Sequence, residues 1–463
     1  MAITDRWIFL ALLVLSVSAS AGKVQGFPKS LYIDAYFNHQ GTNRYTEPYR
    51  KITRNGDNFE EIIASRINKA KKKVWLAVQE FRLPGIANSL IAAKSRGVEI
   101  KVVIENSYHN IFSDLTAREV SSLSVYQLQR YLDFVKISDI NLDGVSTLAE
   151  KRKSDAIYIL ENAGIKIIDD TFDGSKGSGL MHHKFVVIDD DTTIVTSANF
   201  TQSDFFGDFS QIVSRGNPNS LVILNSPDIN QFFSGEYQVM WGNGRIGGSK
   251  FGVDKPHLGI PTYFFPSGES VTISFSPTGK KIPYEKSSNG LIKRTLERAR
   301  KSIFFNLFVF SEQAIANSMK DKFSLGVDVQ GVIEKNFAYR SYSELLDMLG
   351  VNMPSGRCKV SRDNNPWKST AKKVGASNLP SGDRLHHKLA VVDERLIIVG
   401  SHNWSTSANQ NNDETLLVIE SKLLGPRFQS EALSHINRGT LGLTSTISKK
   451  ISDRKQKCRG KFL

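Results

Sequence analysis

Hydrophobic positions along this chain follow two alternating patterns, helical spacing and short apolar runs. Apolar residues recur every three or four positions over 62–70, which predicts an amphipathic helix, and the apolar run Val74–Val78 predicts a buried strand. A second helix is predicted over 86–95, with Gly97 suited to its C-terminal cap, and the strand Val98–Ile104 follows. The order strand, helix, strand indicates parallel pairing with helices packed on the sheet, so this part of the chain is predicted to be an α/β unit.

The same pattern occurs a second time further along the chain. The segment Ile62–Phe81 aligns without gaps with Leu291–Phe310, and the alignment continues from Gly97–Glu105 to Gly326–Glu334. A repeat of this length indicates that one structural unit is duplicated. We therefore predict two α/β lobes, each with a mixed, mostly parallel sheet flanked by helices.

The first half carries extra residues, which we assign mainly to 107–155. This region includes a polar, helix-like stretch, Ser121–Val135. Extra segments of this kind either cover a binding site and contribute to specificity, or form surface insertions without a role in binding. The sequence supports both interpretations equally.

The domain boundaries are predicted from composition. The stretch Gly242–Pro266 is rich in Gly and Pro, as expected of a connection between two lobes. We predict a first lobe over 22–245, a second lobe over 260–440 and a basic C-terminal tail over 441–463.

Residues 1–21 have the order of features that is typical of a secretory signal peptide. Arg6 precedes an apolar run over 7–17, and small residues occupy 18–22. The apolar run is short for a membrane span, and an uncleaved N-terminal anchor is the alternative interpretation. We predict that residues 1–21 are removed and that the protein is secreted or periplasmic.

Basic residues outnumber acidic ones in this chain. It contains 60 Lys and Arg against 46 Asp and Glu, a formal net charge of +14. Such an excess favours an anionic partner, for which nucleic acid, acidic lipid and a cell-surface polymer are the candidates. The alternative interpretation is that the charge serves solubility alone.

The chain contains two cysteines, Cys358 and Cys458. In the oxidising compartment that export implies, one disulfide between them is expected. Two free thiols are the alternative, because separation along the chain says nothing about distance in space.

One further matched segment in each half carries candidate chemistry. The segment 181–189 reads Met-His-His-Lys-Phe-Val-Val-Ile-Asp, and 385–393 reads Leu-His-His-Lys-Leu-Ala-Val-Val-Asp. A Ser-x-Asn sequence follows each, so the two motif regions span 182–199 and 386–403. At identical spacing the two copies supply His182 and His386, Lys184 and Lys388, Asp189 and Asp393, Ser197 and Ser401, and Asn199 and Asn403.

The apolar run after each Lys predicts a buried strand, whose side chains alternate between its two faces. His182 and Lys184 therefore share one face, and His183 points to the other. The same alternation selects His386 over His387. We predict that the second His of each pair is a packing or supporting residue.

This set of groups suits phosphoryl transfer. Lys and Asn donors can hold the non-bridging oxygens of a phosphate and neutralise the charge that develops in the transition state. One His can attack phosphorus and form a phosphohistidine, while the other protonates the leaving oxygen and then activates water. Because the sequence has no cluster of carboxylates, or of Cys and His, with metal-ligand spacing, we predict that neither a metal ion nor another cofactor is required.

In these motifs the chain resembles the phospholipase D superfamily, whose members carry two His-x-Lys-x4-Asp motifs, each followed by Ser-x-Asn. The resemblance extends from about residue 30 to residue 425. It implies two phospholipase D-like lobes related by a pseudo-two-fold axis, with both motifs meeting in one active site at the lobe interface. By this resemblance His182 is the nucleophile and His386 the acid and base. Since both motifs lie in one chain, no obligate protein partner is expected.

Members of this family often carry an acidic residue beyond the motif that orients the imidazole. Glu414 fits this position for His386. The equivalent position in the first half is Ser210, although Asp208 or Asp204 can substitute. A carboxylate partner raises the basicity of an imidazole and fixes its tautomer. By this pattern His386 has a clearer carboxylate partner than His182 has. The assignment of the nucleophile therefore stays open.

Three functions fit these observations. The first is a secreted, metal-independent nuclease acting on DNA or RNA, which the basic clusters at 69–73 and 449–461 favour. The second is a phospholipase D acting on phosphatidylcholine or a related phospholipid, since export and positive charge also suit a membrane surface. The third is a non-catalytic protein that binds nucleic acid or membranes, which two intact motifs disfavour. On sequence alone the nuclease is preferred, with a phosphohistidine as its intermediate.

Overall fold

The computed structural model describes residues 30–39, 41, 43–244, 247–279 and 281–460. The predicted signal peptide, 1–21, lies outside this part of the chain. Among the described helices, none is long and apolar enough to cross a membrane. The described residues form two lobes, each built on one large sheet with helices beside it.

The first lobe runs from strand β1 to helix α8. Its strands are β1 (Ile33–Phe37), β2 (Arg44–Thr46), β3 (Thr53–Asn55), β4 (Lys73–Val78), β5 (Glu99–Ile104), β6 (Ile167–Asp169), β7 (Leu180–Met181), β8 (Lys184–Ile188), β9 (Thr192–Thr196) and β10 (Ser220–Asn225). Its helices are α1 (Phe59–Lys69), α2 (Pro84–Ser95), α3 (Ala117–Ser122), α4 (Val125–Ser138), α5 (Leu148–Ser154), α6 (Ala156–Asn162), α7 (Gln202–Phe205) and α8 (Pro227–Trp241).

The second lobe runs from strand β11 to helix α15. Its strands are β11 (Thr262–Phe264), β12 (Ser270–Ser276), β13 (Ser302–Leu307), β14 (Asp328–Ile333), β15 (Val374–Ala376), β16 (Lys388–Val392), β17 (Leu396–Gly400), β18 (Asn412–Glu420) and β19 (Thr440–Leu441). Its helices are α9 (Ser288–Glu297), α10 (Gln313–Ser324), α11 (Lys335–Ala338), α12 (Glu344–Met348), α13 (Thr406–Gln410), α14 (Gly425–Ile436) and α15 (Ser445–Lys457).

Both large sheets are mixed, as predicted, but the prediction of mostly parallel pairing is wrong. The first sheet has the order β1-β10-β9-β8-β4-β5-β6, and its parallel pairs in the described residues are β4 with β5 and β5 with β6. In the second lobe β13, β14 and β15 are parallel, whereas β16, β17 and β18 are antiparallel. The physical reason is the tight turn after each motif strand, 189–191 in the first lobe, which sends the chain directly back beside itself.

The two lobes are joined by a strand pairing and a shared core. Strand β7 of the first lobe pairs in parallel with β18 of the second, with Met181 opposite Asp413. Behind this pair, Phe185 and Phe233 pack against Phe275 of the second lobe, and the Phe233 and Phe275 ring centroids are 5.0 Å apart. Burial of apolar rings from both lobes in one cluster makes the lobe boundary part of the core. The predicted two-lobe α/β architecture is confirmed.

The extra residues of the first half form helices α3, α4 and α5. The helix-like stretch predicted over 121–135 corresponds to α4, where the Ser124 side chain accepts the backbone N–H of Gln127 and so caps the helix. Helix α4 also contacts the segment that follows α7, because Ser210 donates its backbone N–H to Asp133 Oδ1 at 3.1 Å. The insertion is therefore a folded part of the first lobe.

The predicted basic tail, 441–463, is folded over its described part. Strand β19 pairs with β15, and helix α15 buries Ile451 in the core of the second lobe. A disulfide joins Cys358 to Cys458, directly after α15, as expected from the cysteine count. The basic side chains of α15 therefore lie on a fixed surface of the second lobe.

The Asp that ends each motif strand organises the start of a neighbouring strand. Asp393 accepts the backbone N–H groups of Arg300, Lys301 and Ser302, each at 2.8 Å. Asp189 binds the backbone of residues 71–73 in the same way. Burial opposes ionisation of Asp393, but its three backbone donors lower the pKa of the carboxyl. Both predicted supporting Asp residues thus hold the turns before β4 and β13.

We expect Asp393→Ala to lower the free energy of unfolding, because three backbone donors lose a charged acceptor. The loss should exceed that of Glu394→Ala by about 1.5–3 kcal/mol, the contribution of a hydrogen bond to a charged group. Glu394 is a matched control, since it is exposed and has the same φ of 53° as Asp393. Urea unfolding followed by circular dichroism measures both values. Equal losses in the two variants would show that backbone strain, rather than the carboxylate, determines the stability of this turn.

Candidate active site

The two copies of the motif meet in one cavity of about 320 Å³ at the lobe boundary. His182 and Asn199 enter it from the first lobe, and His386 and Asn403 enter it from the second. Each imidazole is only 7% exposed. The other residues that line the cavity are Gln79, Tyr108, Gln129, Arg130, Asp133, Leu180, Ser203, Asp204, Asp208, Asn217, Phe308, Gly382 and Arg384.

The second His of each motif lies behind the cavity, directly before the motif strand, which begins at Lys184 in the first lobe and at Lys388 in the second. His183 contacts Thr415 Oγ1 through Nδ1 at 2.8 Å and Glu236 Oε1 through Nε2 at 3.1 Å. His387 contacts Glu431 Oε1 through Nε2 at 3.1 Å. The alternation predicted for the motif strand thus extends to the two residues before it, and it divides each His pair between the cavity and the core.

Two buried ammonium groups lie beside the imidazoles. Lys184 donates to the backbone oxygen of His182 at 2.8 Å, and Lys388 donates to that of His386 at 2.9 Å. Burial lowers the pKa of Lys184 to about 8. Burial and the neighbouring charge of Lys184 lower the pKa of Lys388 to about 7. A phosphate bound between these groups favours their charged forms, so substrate and ammonium charge stabilise each other.

The acidic partner of His182 comes from the opposite lobe. Nδ1 of His182 lies 2.6 Å from Glu414 Oε2, which also accepts the hydroxyl of Ser401 at 2.7 Å. The expectation that Glu414 orients His386, the histidine of its own half, is wrong. The reason is the pairing of β7 with β18, in which the backbone N–H of His182 also donates to Asp413 O at 2.9 Å.

His386 is supported by a carboxamide from the first lobe. Its Nδ1 lies 3.1 Å from Asn219 Oδ1, which accepts the hydroxyl of Ser197 at 2.7 Å. Asn219 is therefore the structural counterpart of Glu414. A carboxylate oxygen of Asp204 lies somewhat further away, 3.7 Å from His386 Nδ1.

Counting positions from the motif His does not identify Asn219 as the partner of His386. The reason is that the first half is longer between its Ser-x-Asn sequence and the next strand. Ser210, at the matching distance, accepts a hydrogen bond from Gln129 of helix α4 instead. Of the two suggested substitutes, Asp204 approaches His386, whereas Asp208 contacts the Ser203 hydroxyl.

Asn219 was missed entirely, although the sequence contains a signal for it. Asn219 lies two positions before the apolar residue Leu221 of β10, as Glu414 lies two positions before Leu416 of β18. Alignment on the next strand, rather than counting from the motif His, identifies both residues.

Both imidazoles are neutral in the free protein. Burial and the two ammonium groups hold the pKa of His182 and of His386 well below the usual value. A neutral ring whose Nδ1 faces an acceptor carries its proton on that atom, so Nε2 keeps a lone pair. Burial raises the pKa of Glu414. When ionised, this carboxyl group is a stronger acceptor for the His182 ring than the Asn219 amide is for the His386 ring.

The two Ser-x-Asn sequences divide into substrate-facing and supporting residues. Asn199 Oδ1 and Asn403 Oδ1 are buried and have no hydrogen-bond partner among the described residues. The backbone N–H of Asn199 donates to Asp204 Oδ2 at 2.7 Å, which fixes this residue at the cavity wall. Ser197 and Ser401 instead bind the acceptors behind the imidazoles. The Asn side chains are therefore the groups of these sequences that can meet a substrate.

One group of described residues has the spacing of metal ligands, and it lies behind the cavity. The ligand atoms of His387, Glu431 and His435 lie within 4.8 Å of one another. Both Nε2 atoms contact Glu431 Oε1, at 3.1 and 3.0 Å, and a guanidinium nitrogen of Arg438 lies 3.4 Å from His435 Nδ1. A guanidinium at this distance opposes a metal cation, so hydrogen bonding accounts for the group.

Comparison with known proteins agrees with this geometry. The family model described as "Cardiolipin synthase, PLD-like domain" matches residues 63–241 and 292–438. Human mitochondrial cardiolipin hydrolase is 30% identical over 139 residues, which cover 30% of this chain and 47% of that protein. A phospholipase D of Rickettsia bellii is 24% identical over 139 residues, which cover 30% of this chain and 59% of that protein. The chain thus spans about half the length of these curated relatives.

A solved structure is similar over both lobes. Phosphatidylserine synthase from Haemophilus influenzae superposes with a TM-score of 0.51 at 12% identity, covering 87% of this chain and 92% of that one. This likeness concerns the fold alone. The two segments that match the family model contain one motif each, and both motifs line one cavity. The chain therefore belongs to the phospholipase D superfamily.

Proposed function

We propose that this chain is a metal-independent hydrolase of phosphodiesters that works through a phosphohistidine on His182. The 2.6 Å contact between His182 Nδ1 and Glu414 Oε2 carries this proposal. With its Nδ1 proton donated to a carboxylate, the ring keeps the Nε2 lone pair that a nucleophilic imidazole needs. His386, whose Nδ1 has the weaker acceptor Asn219, acts as the acid and base.

In the first step His182 Nε2 attacks phosphorus while the bond from phosphorus to the leaving oxygen breaks. The leaving oxygen keeps the electron pair of that bond and takes the proton held on His386 Nε2. The charge of the bound phosphodiester favours protonation of His386, whose pKa is low in the free protein. The products of this step are an alcohol and a phosphohistidine.

In the second step water attacks phosphorus and the bond from phosphorus to His182 Nε2 breaks. His386 Nε2, neutral after the first step, takes a proton from the water as it attacks. The electron pair of the broken bond returns to His182 Nε2, and a phosphomonoester leaves. The cycle is then complete.

Four side chains take the place of a metal ion in this scheme. The amides of Asn199 and Asn403 line the cavity. We expect them to hold the non-bridging oxygens of the phosphate together with the ammonium groups of Lys184 and Lys388, which donate to the backbone oxygens of His182 and His386. The two ammonium charges and the amide N–H donors stabilise the transition state without the Lewis acid that many phosphoryl-transfer enzymes use.

As substrate we propose a phospholipid. Two of the relatives are named for such substrates, cardiolipin hydrolase and phospholipase D. The cavity, of about 320 Å³, has the size of a polar headgroup site, and three of its lining residues are carboxylates. Asp133, Asp204 and Asp208 repel further phosphates on either side of the scissile bond, which favours a substrate with one phosphodiester over an extended polyanion.

Nucleic acid is the second candidate substrate. The net charge of +14 and the guanidinium groups of Arg130 and Arg384 at the cavity favour it. A non-catalytic binding role is disfavoured, because binding alone does not require two imidazoles that each have an acceptor at Nδ1. We also propose that the protein is exported, which the signal-like residues 1–21 and the disulfide support.

In EDTA the protein is expected to hydrolyse bis(4-nitrophenyl) phosphate and phosphatidylcholine, and His182→Ala and His386→Ala should each lower kcat on the lipid by at least about 10²-fold. His257→Ala is the matched control, because His257 is an exposed imidazole that does not line the cavity. Choline release and nitrophenolate absorbance provide the readouts. Cleavage of DNA or RNA, but not of lipid, would replace the proposed substrate with nucleic acid.

The same variants test the assignment of the nucleophile. 4-Nitrophenolate leaves without a proton, so His386→Ala should still form the phosphohistidine and give a burst of nitrophenolate followed by slow turnover. His182→Ala should give no burst and no acid-labile phosphoprotein. A burst in His182→Ala but not in His386→Ala would reverse the two roles.

The value of kcat/KM for bis(4-nitrophenyl) phosphate is expected to fall as pH rises through about 7–8. Lys388 and Lys184, with pKa values of about 7 and about 8, are cationic below this range and lose their charge above it. Since kcat/KM reports the free enzyme, its descending limb follows these groups. Lys388→Arg should move the limb to higher pH, because guanidinium stays charged. An unchanged limb would assign this pH dependence to another group.

A further inference from the structure

Exposed aliphatic side chains concentrate on two segments that border the catalytic cavity. Of the fourteen large apolar residues exposed in the described part of the chain, eight lie on α4, on α5, on the loop between them or on the segment 207–216. Clustered exposed apolar side chains on a soluble protein mark a contact surface, whereas single ones do not. This cluster, called the apolar rim below, consists of Val125, Leu132, Ile140, Leu142, Val145, Leu148, Ile212 and Val213.

Helix geometry places the α4 part of the apolar rim, Val125 and Leu132, at the edge of the cavity. Gln129 and Asp133 of α4 line the cavity. Val125 and Leu132 are seven positions apart, so they share one stripe of α4, and this stripe adjoins the one that holds Gln129 and Asp133. Val125 is 89% exposed and Leu132 is 45% exposed. The same helix thus presents a polar face to the substrate and an apolar face beside it to the outside.

The segment 207–216 is fixed to this helix next to the opening. Gln129 donates to Ser210 Oγ at 2.8 Å, and Ser210 donates its backbone N–H to Asp133 Oδ1 at 3.1 Å. Two residues further on, Ile212 is 82% exposed. The far end of the segment is held by Asp383 of the second lobe, which accepts the Arg215 backbone N–H at 2.8 Å. Helix α4 and the segment 207–216 are therefore held in place beside the opening of the cavity, and Ile140, Leu142, Val145 and Leu148 continue the rim along the chain from the end of α4.

The charge of the rim segments indicates which kind of partner they meet. Residues 116–155 contain six Lys and Arg and six Asp and Glu, and the segment 207–216 contains one of each sign. These segments therefore offer no net charge to a phosphate backbone. Among the side chains that the structure describes there, the exposed large apolar ones are aliphatic rather than the aromatic ones on which bases stack. A phospholipid bilayer, in contrast, presents phosphodiesters directly beside an apolar phase.

We infer that the apolar rim is a membrane-docking surface, which inserts into a phospholipid bilayer and sets the cavity against the headgroups. The role of this docking rests on the proposed phosphodiesterase function. The docking itself can be measured without catalysis. Insertion is expected to depend on apolar contact and to persist at high salt, because the rim segments carry no net charge.

The test compares Val125→Asp/Leu132→Asp and Ile212→Asp with the wild type in co-sedimentation with vesicles of phosphatidylcholine. A neutral lipid separates the rim from the net charge of the protein. Each rim variant should partition at least about tenfold more weakly, because a carboxylate replaces an apolar side chain in the membrane. Leu325→Asp is the matched control, since Leu325 is 80% exposed on the second lobe, outside the rim, and should bind as the wild type does.

Hydrolysis provides a second readout. The rate on phosphatidylcholine vesicles, divided by the rate on bis(4-nitrophenyl) phosphate, should fall about tenfold in the rim variants, in step with partitioning. Circular dichroism melting shows whether each variant is folded. Rim variants that bind vesicles as tightly as the wild type, or that lose binding to single-stranded DNA instead, would overturn the inference. Failure of the wild type to hydrolyse either diester would overturn the proposed function alone, since co-sedimentation still decides whether the rim docks.

Discussion

The pairing of β7 with β18 across the lobe boundary is the contact on which the active site depends. It sets the backbone of His182 against that of Asp413 and so brings the next residue, Glu414, to the imidazole of the opposite lobe. The second lobe has the reciprocal arrangement, in which the backbone N–H of His386 donates to Pro218 O and its ring meets Asn219. Each imidazole is therefore oriented by the other lobe. Neither lobe alone holds a complete catalytic group.

Burial gives these groups their chemistry. Burial lowers the pKa values of both ammonium groups and both imidazoles, and the neighbouring cations lower those of His182, His386 and Lys388 further. An anion in the cavity reverses this relation, because it stabilises every cation around it. In the proposed mechanism the free site keeps its imidazoles neutral with Nε2 available, and the bound phosphate favours the protonated acid that the leaving group needs. The charge of the substrate itself prepares the site for the reaction.

The sequence predicted what depends on local pattern and did not predict what depends on pairing between lobes. Strand alternation correctly separated His182 from His183, and the repeat correctly gave two lobes. The strand-helix-strand pattern overestimates parallel pairing, because a tight hairpin follows each motif strand. Spacing along the chain places Glu414 with its own half, whereas strand pairing sets it against the imidazole of the opposite lobe. Asn219 does not lie at the spacing of Glu414, because the segment before β10 is longer than the segment before β18. The relation between the lobes arises from a two-residue strand, β7, that no periodicity reveals.

The two lobes differ at positions that give their imidazoles different surroundings, which an exact duplication cannot provide. Two identical halves give two identical imidazoles, whereas a nucleophile and an acid need different surroundings. The exchange of a carboxylate for a carboxamide, Glu414 against Asn219, supplies that difference at matching positions of the two sheets. The insertion and the longer segment 207–216 are likewise confined to the first half, and they meet each other at the cavity wall through Gln129 and Ser210. Additions to one lobe can therefore change which molecule reaches the phosphate site while the symmetric groups that act on the phosphate stay in place.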